Sequence, residues 1–288
     1  MEDTAGTPAA AAGTWASNRR ASGWGDRSLA ALAALFALFL GLPIVVLVAR
    51  AVLDGSLITA IASPVVLGAL SLSLVTTAIS LAITVIFGLP LAFVMARRQF
   101  RGKGWLEAII DLPIVLPPSV AGLALLLVFG RRGLLAEPFE ILGIAVPFTT
   151  VAVILAQTFV SAPFFIRSAR TGIAAVDRDL EDAARVDGAS ERQLFRSVTV
   201  PLASAALAAG LVMTWARSLG EFGATIMFAG NIEGRTQTLP LVVYGEFQGG
   251  DLNASIAAAA ILVIAAFGVL VAVRVFHWGR VLDARGLA

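Results

Sequence analysis

Residues 67–95 read LGALSLSLVTTAISLAITVIFGLPLAFVM, an unbroken run with no charged side chain. A helix rises about 1.5 Å per residue and the hydrocarbon core of a bilayer is about 30 Å thick, so roughly 20 such residues cross it. This run is longer than one membrane thickness and is expected to tilt or to pass beyond the interface, with a kink at Gly88 and Pro90. Five further runs lie around it: Leu29–Ala49, Leu112–Phe129, Val146–Ile166, Val198–Ala216 and Leu252–Val273. The first is too long for a signal-peptide core and no small-residue cleavage site follows it, so it reads as a membrane anchor. The expectation is an all-α polytopic membrane protein with six transmembrane helices in residues 27–288, after a tail at 1–26 rich in Ala, Gly, Ser and Thr for which disorder is expected. No fixed-period repeat interrupts this plan.

Composition agrees: 58% of the residues are hydrophobic and 14% charged, against about 45–50% and about 25% in soluble domains. The absence of cysteine excludes a disulfide framework and thiol chemistry, and a single histidine, His277, excludes a Cys/His metal centre; no metal site is expected. The net charge of +2 is spread between apolar runs rather than gathered in a patch, so no nucleic-acid partner is indicated and the basic residues set topology. With both termini cytoplasmic, 16 of the 21 Lys and Arg fall inside and 5 outside, Arg50, Arg131, Arg132, Arg217 and Arg235. Trp105 and Trp278 sit near span ends, as interfacial aromatics do.

The six runs contain no ionisable group, which counts against a proton-coupled secondary carrier, the rival reading from another class. The chain has no phosphate-binding loop of the Gly-x4-Gly-Lys-Ser/Thr kind and no nucleophile, base and metal constellation, so it is not expected to be an enzyme.

Two connections are long. In the first, Arg167 to Ser197, Asp179 is expected to cap a short helix with Asp182 at its third position, and Leu180, Ala183 and Ala184 then share a face. Gly188 suits a left-handed cap, and Ser190 with Gln193 forms a capping box for the next helix. A helix this short is unstable alone in water and is expected to dock against a partner. In the second, Arg217 to Asp251, Ala224–Ala229 and Leu239–Tyr244 are expected to be short helices on, or dipping into, the outer surface. Asp111 reads as a helix-end group, and Pro113, Pro117 and Pro118 as a break or kink before the third span. Ser73, Thr77, Ser80 and Thr84 fall within a sector of about 60° on the second span. This hydroxyl stripe either packs against another helix or lines a translocation path.

Asp182-Ala183-Ala184, three residues, Gly188, nine residues, then Val198-Thr199-Val200-Pro201 resembles the signature loop of ABC-importer permeases, Glu-Ala-Ala-x3-Gly-x9-Ile-x-Leu-Pro. Asp replaces Glu, and Val replaces Ile and Leu. Ala216-Arg217-Ser218-Leu219-Gly220-Glu221-Phe222-Gly223-Ala224, Phe228-Ala229-Gly230-Asn231, Arg235-Thr236-Gln237-Thr238-Leu239-Pro240, Asp111-Leu112-Pro113 and Leu116-Pro117-Pro118-Ser119-Val120-Ala121-Gly122 are similar to the molybdate and sulfate branch. The similarity covers about Leu67 to Arg274.

The resemblance implies the permease fold with a cytoplasmic coupling helix, in a loop of about 177–201, seated in a cleft of an ABC ATPase. It assigns ATPase coupling to Glu181, Asp182, Ala183, Ala184, Gly188 and Pro201, with Glu181 a second carboxylate beside the shorter Asp182. Arg217, Ser218 and Glu221 are then candidates for an outer gate or a seat for the binding protein; the alternative is a surface loop holding an internal ion pair. The implied assembly is a homodimer of this chain in the cell membrane, with two cytoplasmic ATPase subunits and an extracytoplasmic oxyanion-binding protein. ATP and Mg belong to the ATPase, and no cofactor is bound by this chain. The implied function is ATP-driven import of a tetrahedral oxyanion, molybdate first, with sulfate, thiosulfate or tungstate as alternatives.

Overall fold

The computed structural model describes residues 23–285, with side chains over 27–271. Among the described residues fourteen α-helices and one π-helical turn follow one another, and no strand occurs. They are α1 (Gly23–Leu53), α2 (Ser56–Ala62), α3 (Pro64–Arg97), α4 (Lys103–Val115), α5 (Pro118–Phe129), α6 (Ala136–Ile141), α7 (Thr150–Ala174), α8 (Arg178–Val186) and α9 (Glu191–Leu194), then a π-helical turn (Phe195–Thr199) that leads into α10 (Val200–Leu202), α11 (Ser204–Leu219), α12 (Gly223–Phe228), α13 (Leu239–Gly249) and α14 (Leu252–Arg285). The expected disordered tail falls outside the described residues except for 23–26, which open α1. Trp278 lies in α14, outside the described side chains.

The chain divides into two compact units, residues 1–46 and 47–288. In the first, the described residues belong to α1, whose Leu32, Phe36 and Phe39 are exposed. Such a surface is costly in water and at home in lipid.

The second unit is organised around α7, which packs against α3 on one side and α11 on the other. Three apolar clusters hold it together. Ala92, Met95, Phe165, Ile173 and Ala203 join α3, α7 and the turn before α11. Ala121, Leu125, Val153, Ala156, Ala224 and Phe228 join α5, α7 and α12, while Ala60, Val66, Leu239, Val242, Ala257 and Ile261 join α2, α3, α13 and α14. Alanine recurs because helices in lipid gain stability from close approach rather than from hiding apolar surface.

Four helices are long and apolar enough to cross a membrane: 27–53 of α1, α3, α7 and 252–271 of α14. Two bent pairs bring the number to six if each pair is one crossing. The third expected span is not a straight helix, because α4 and α5 meet at 118°. Leu116 and Pro117 are extended, as residues preceding proline must be, so the helix ends there and restarts on Pro118. The fifth is bent by 73° where the segment from Glu191 to Leu202 meets α11. The fourth begins at Thr150, with the Thr149 side chain accepting from the Ala152 N–H, and runs past the expected Ile166 to Ala174. The second runs unbroken through Gly88 and Pro90. Gly88 serves close packing, since a Cβ there would lie 3.0 Å from Ile166 Cγ1.

Ion pairs gather where α7 and α3 emerge. Glu107 and Asp111 of α4 meet Arg170 and Arg167 of α7 at 3.0 and 2.9 Å. Asp111 therefore ties α4 alongside α7, and Trp105, Ile109 and Leu112 on the other face of α4 stay exposed.

Candidate functional site

The segment from Asp177 to Pro201 is built from local signals. Asp177, rather than Asp179, caps α8: its carboxylate accepts the Asp179 N–H at 3.0 Å. The expected cap was displaced by two residues because Asp177 has the extended backbone a cap needs and Asp179 lies in the first turn. Acids in that turn and Arg185 in the last complement the helix dipole. Gly188 has φ +87°, the Gly188 N–H donates to Arg185 O and the Ala189 N–H to Ala184 O, which is the double closure expected of a left-handed helix end. Ser190 and Gln193 form the expected capping box.

Leu180, Ala183 and Val186 of α8 are exposed, as are Asp182 and Pro201; Ala184 is half-buried. Beside Gly188 an open cleft of about 340 Å³ is lined by Asp187, Ala189, Gln193, Leu194, Ser197 and Val198. Arg185 binds Asp182 and Glu191 at 2.7 and 2.8 Å, and this guanidinium holds the Glu191 carboxyl below the usual carboxylate range.

Glu181 differs from its neighbours. It is 3% exposed. Its Oε1 accepts from Arg97 Nη2 at 2.6 Å and from Thr199 Oγ1 at 2.7 Å. The same Arg97 nitrogen donates to Val176 O at 3.3 Å, and Phe93 of α3 meets Phe195 edge to face at 5.1 Å. Arg97 and Thr199 escaped sequence reading because nothing local marks them: one ends an apolar run and the other sits inside the signature.

A second buried carboxylate lies where α11 breaks. Arg217 is in the last turn of α11, and its Nη1 is 2.6 Å from Glu221 Oε2. Glu221 Oε1 accepts the Ala224 N–H at 2.8 Å and so caps α12. The internal ion pair is present, yet it is not on a surface loop: Ser218 and Glu221 are buried. The Ser218 and Thr225 hydroxyls have no hydrogen-bond partner among the described residues. The α12 helix is inserted against α5 rather than lying on a surface. A Cβ on Gly122 would come within 2.7 Å of Ala224 O, and one on Gly223 within 2.6 Å of Pro118 Cβ, so only glycine allows this approach. The second short helix, α13, buries Leu239, Leu241 and Val242.

The hydroxyl stripe is buried within the chain. Ser73 Oγ accepts the Leu239 N–H at 2.8 Å, Thr77 Oγ1 accepts from Gln157 Nε2 at 3.4 Å, and Ser80 and Thr158 are hydrogen-bonded at 3.0 Å. Thr84 Oγ1 has no partner among the described residues. The stripe thus faces α7 and the start of α13.

A bundle of membrane-length and broken helices, with a short helix tied to it by a buried ion pair, is the architecture of a polytopic membrane protein. The chain belongs to the binding-protein-dependent transport system inner membrane component family, whose model matches residues 88–283. It is a multi-pass permease subunit of an ABC importer, a transport subunit rather than an enzyme. It is 43% identical over 198 residues to the molybdenum transport system permease protein ModB of Mycobacterium tuberculosis, covering 69% of this chain and 75% of that one. It is 38% identical over 246 residues to the molybdate/tungstate transport system permease protein WtpB of Pyrococcus abyssi, covering 85% and 92%. Among solved structures, a bacterial ABC transporter that imports the acidic polysaccharide alginate has a similar fold, with a TM-score of 0.70 at 16% identity over 89% of this chain and 95% of that one. A bacterial alginate ABC transporter in complex with an alginate pentasaccharide-bound periplasmic protein gives a TM-score of 0.68 at 17% identity over 87% of this chain and 92% of that one.

Proposed function

We propose that this chain is the membrane subunit of an ATP-driven importer that carries molybdate into the cytoplasm. The observation that carries the reading is α8: a short helix whose Leu180, Ala183 and Val186 point outward while Glu181 anchors it inward. An exposed apolar face on a helix too short to stand alone fits a groove in a partner. In this reading Asp182, Ala183, Ala184, Gly188 and Pro201 meet a cytoplasmic ABC ATPase, which uses ATP and Mg, and no cofactor is held by this chain. Both termini are cytoplasmic, in keeping with the distribution of Lys and Arg. One coupling helix per chain makes half of a two-fold device, so the assembly is a homodimer with two ATPase subunits and an extracytoplasmic oxyanion-binding protein.

The relatives named for molybdenum, molybdate and tungstate support the choice of anion. Arg217, Ser218 and Glu221 form the outer gate, where α11 breaks against α5. The stripe of Ser73, Thr77, Ser80 and Thr84 is assigned to helix packing, because three of its hydroxyls are already hydrogen-bonded inside the chain. The complex reconstituted in proteoliposomes with its ATPase and binding protein is expected to take up labelled molybdate only with ATP inside the cytoplasmic compartment. Uptake driven by a proton gradient without ATP rejects the reading, and uptake of sulfate in preference to molybdate rejects the choice of anion.

A further inference from the structure

Glu181 stands in the signature loop next to Asp182, yet the two carboxylates face different ways. The Asp182 side chain is 68% exposed and, among the described residues, pairs only with Arg185 of its own helix. Glu181 is enclosed, and its Oε1 accepts two short hydrogen bonds, one from α3 and one from the end of the π-helical turn. At 3% exposure Glu181 presents almost no surface to an outside partner. What it does offer is a fixed joint. Arg97 Nη2 reaches Glu181 and Val176 O together, so one guanidinium holds α8, the turn from α7 into α8, and α3. Thr199 brings the π-helical turn to the same carboxylate oxygen, and Phe93 against Phe195 adds an apolar bolt one turn back along α3.

Toward its other end α3 is fastened as well. Ser73 accepts the backbone N–H of Leu239 at the start of α13, and between Ser73 and Arg97 the helix is continuous. At the usual rise this is a rod of about 36 Å. Coupling between distant sites can be carried by rigid secondary elements and the hydrogen-bond networks attached to them, and α3 joins two such networks.

We propose that Glu181 is a positioning residue: through Arg97 it fastens the coupling helix to α3, which carries the displacement of α8 to Leu239 and the outer segment. The proposal rests on the import reading and adds to it that Asp182 and Glu181 have separate tasks, Asp182 outward to the ATPase and Glu181 inward to α3.

The test uses the full complex in proteoliposomes, with molybdate as the transported probe, and reads anions moved per ATP hydrolysed alongside the amount of ATPase bound. The variants are R97M, E181M, the double R97M/E181M and the conservative R97K. The double variant leaves no unpaired buried charge, so it keeps the test open where a single variant is poorly folded. It is expected to bind the ATPase and hydrolyse ATP as the parent does, while uptake per ATP falls by roughly tenfold. R97K, which keeps the charge, recovers part of the coupling. Unchanged uptake per ATP in R97M/E181M overturns the proposal, and so does an E181M complex that sheds its ATPase while R97M retains it, since Glu181 would then touch the ATPase itself. A parent complex that moves no molybdate with ATP defeats the import reading instead, because its ion pair is intact.

Discussion

Two buried glutamates, Glu181 and Glu221, each lie 2.6 Å from an arginine, yet they solve different problems. Glu221 pairs with Arg217 one helical turn earlier and spends its second oxygen on the Ala224 N–H, so the whole arrangement lies within eight residues. It satisfies the backbone at a helix break where lipid and packed side chains offer no water. Glu181 pairs with Arg97 across 84 positions of sequence, and its job is to join elements rather than to finish one. The arginines differ too. The Arg217 side chain is 30% exposed, so it can turn to other partners, whereas that of Arg97 is 11% exposed and enclosed by the joint it makes. A local pair completes the helix that contains it, and a long-range pair ties together two parts of the molecule that are distant in sequence.

The largest expected effect follows from that contrast. Glu181→Ala leaves the Arg97 charge enclosed without its partner, a loss of about 3–5 kcal/mol of stability. Glu221→Ala chiefly removes a helix cap and frees a half-exposed arginine, at about 1–2 kcal/mol. Denaturant titration of the detergent-solubilised protein measures both, and equal losses at the two sites would erase the distinction between joint and cap.

A smaller effect is expected at Gly188. Leucine there meets a penalty of roughly 1–2 kcal/mol in the left-handed region, while its side chain has open space around it. Stability should therefore change modestly, whereas ATPase binding measured by co-purification should fall sharply, because the new side chain stands beside the face of α8 proposed to dock. Normal binding and normal uptake in Gly188→Leu would remove α8 from the coupling role and leave Glu181 as a structural tie alone.

The smallest effect is expected in the hydroxyl stripe. Thr77→Val together with Ser80→Ala deletes two side-chain hydrogen bonds to α7, each worth on average about 0.6 kcal/mol within a membrane. Uptake by this double variant should stay near that of the parent. A marked drop in uptake with assembly intact would return these hydroxyls to the translocation path and make α3 a lining helix as well as a rod.

The amino-acid sequence alone determined that the chain is helical and membrane-embedded, where its apolar runs lie, and how the 177–201 segment closes its helices. Each of these depends on neighbours a few positions apart. A span is a local sum of transfer free energies, Gly188 ends α8 with its own N–H reaching three positions back and that of Ala189 five back, and the Ser190–Gln193 box spans one turn. The motifs around Asp182 and Glu221 were legible for the same reason, as was the ion pair of Arg217. The tertiary structure decided what local rules cannot reach. It set the 118° turn between α4 and α5, packed α12 against Gly122, and brought Ser73, Thr77 and Ser80 into hydrogen bonds with α13 and α7. Above all it separated Glu181 from Asp182. Side by side in sequence they are two acids on one turn of helix, and only the arrival of Arg97 from α3 and of Thr199 from beyond α9 makes one of them inward and fixed. A charge declares its partner in sequence when that partner is one turn away; at 84 positions the pairing exists only once packing has brought the helices together.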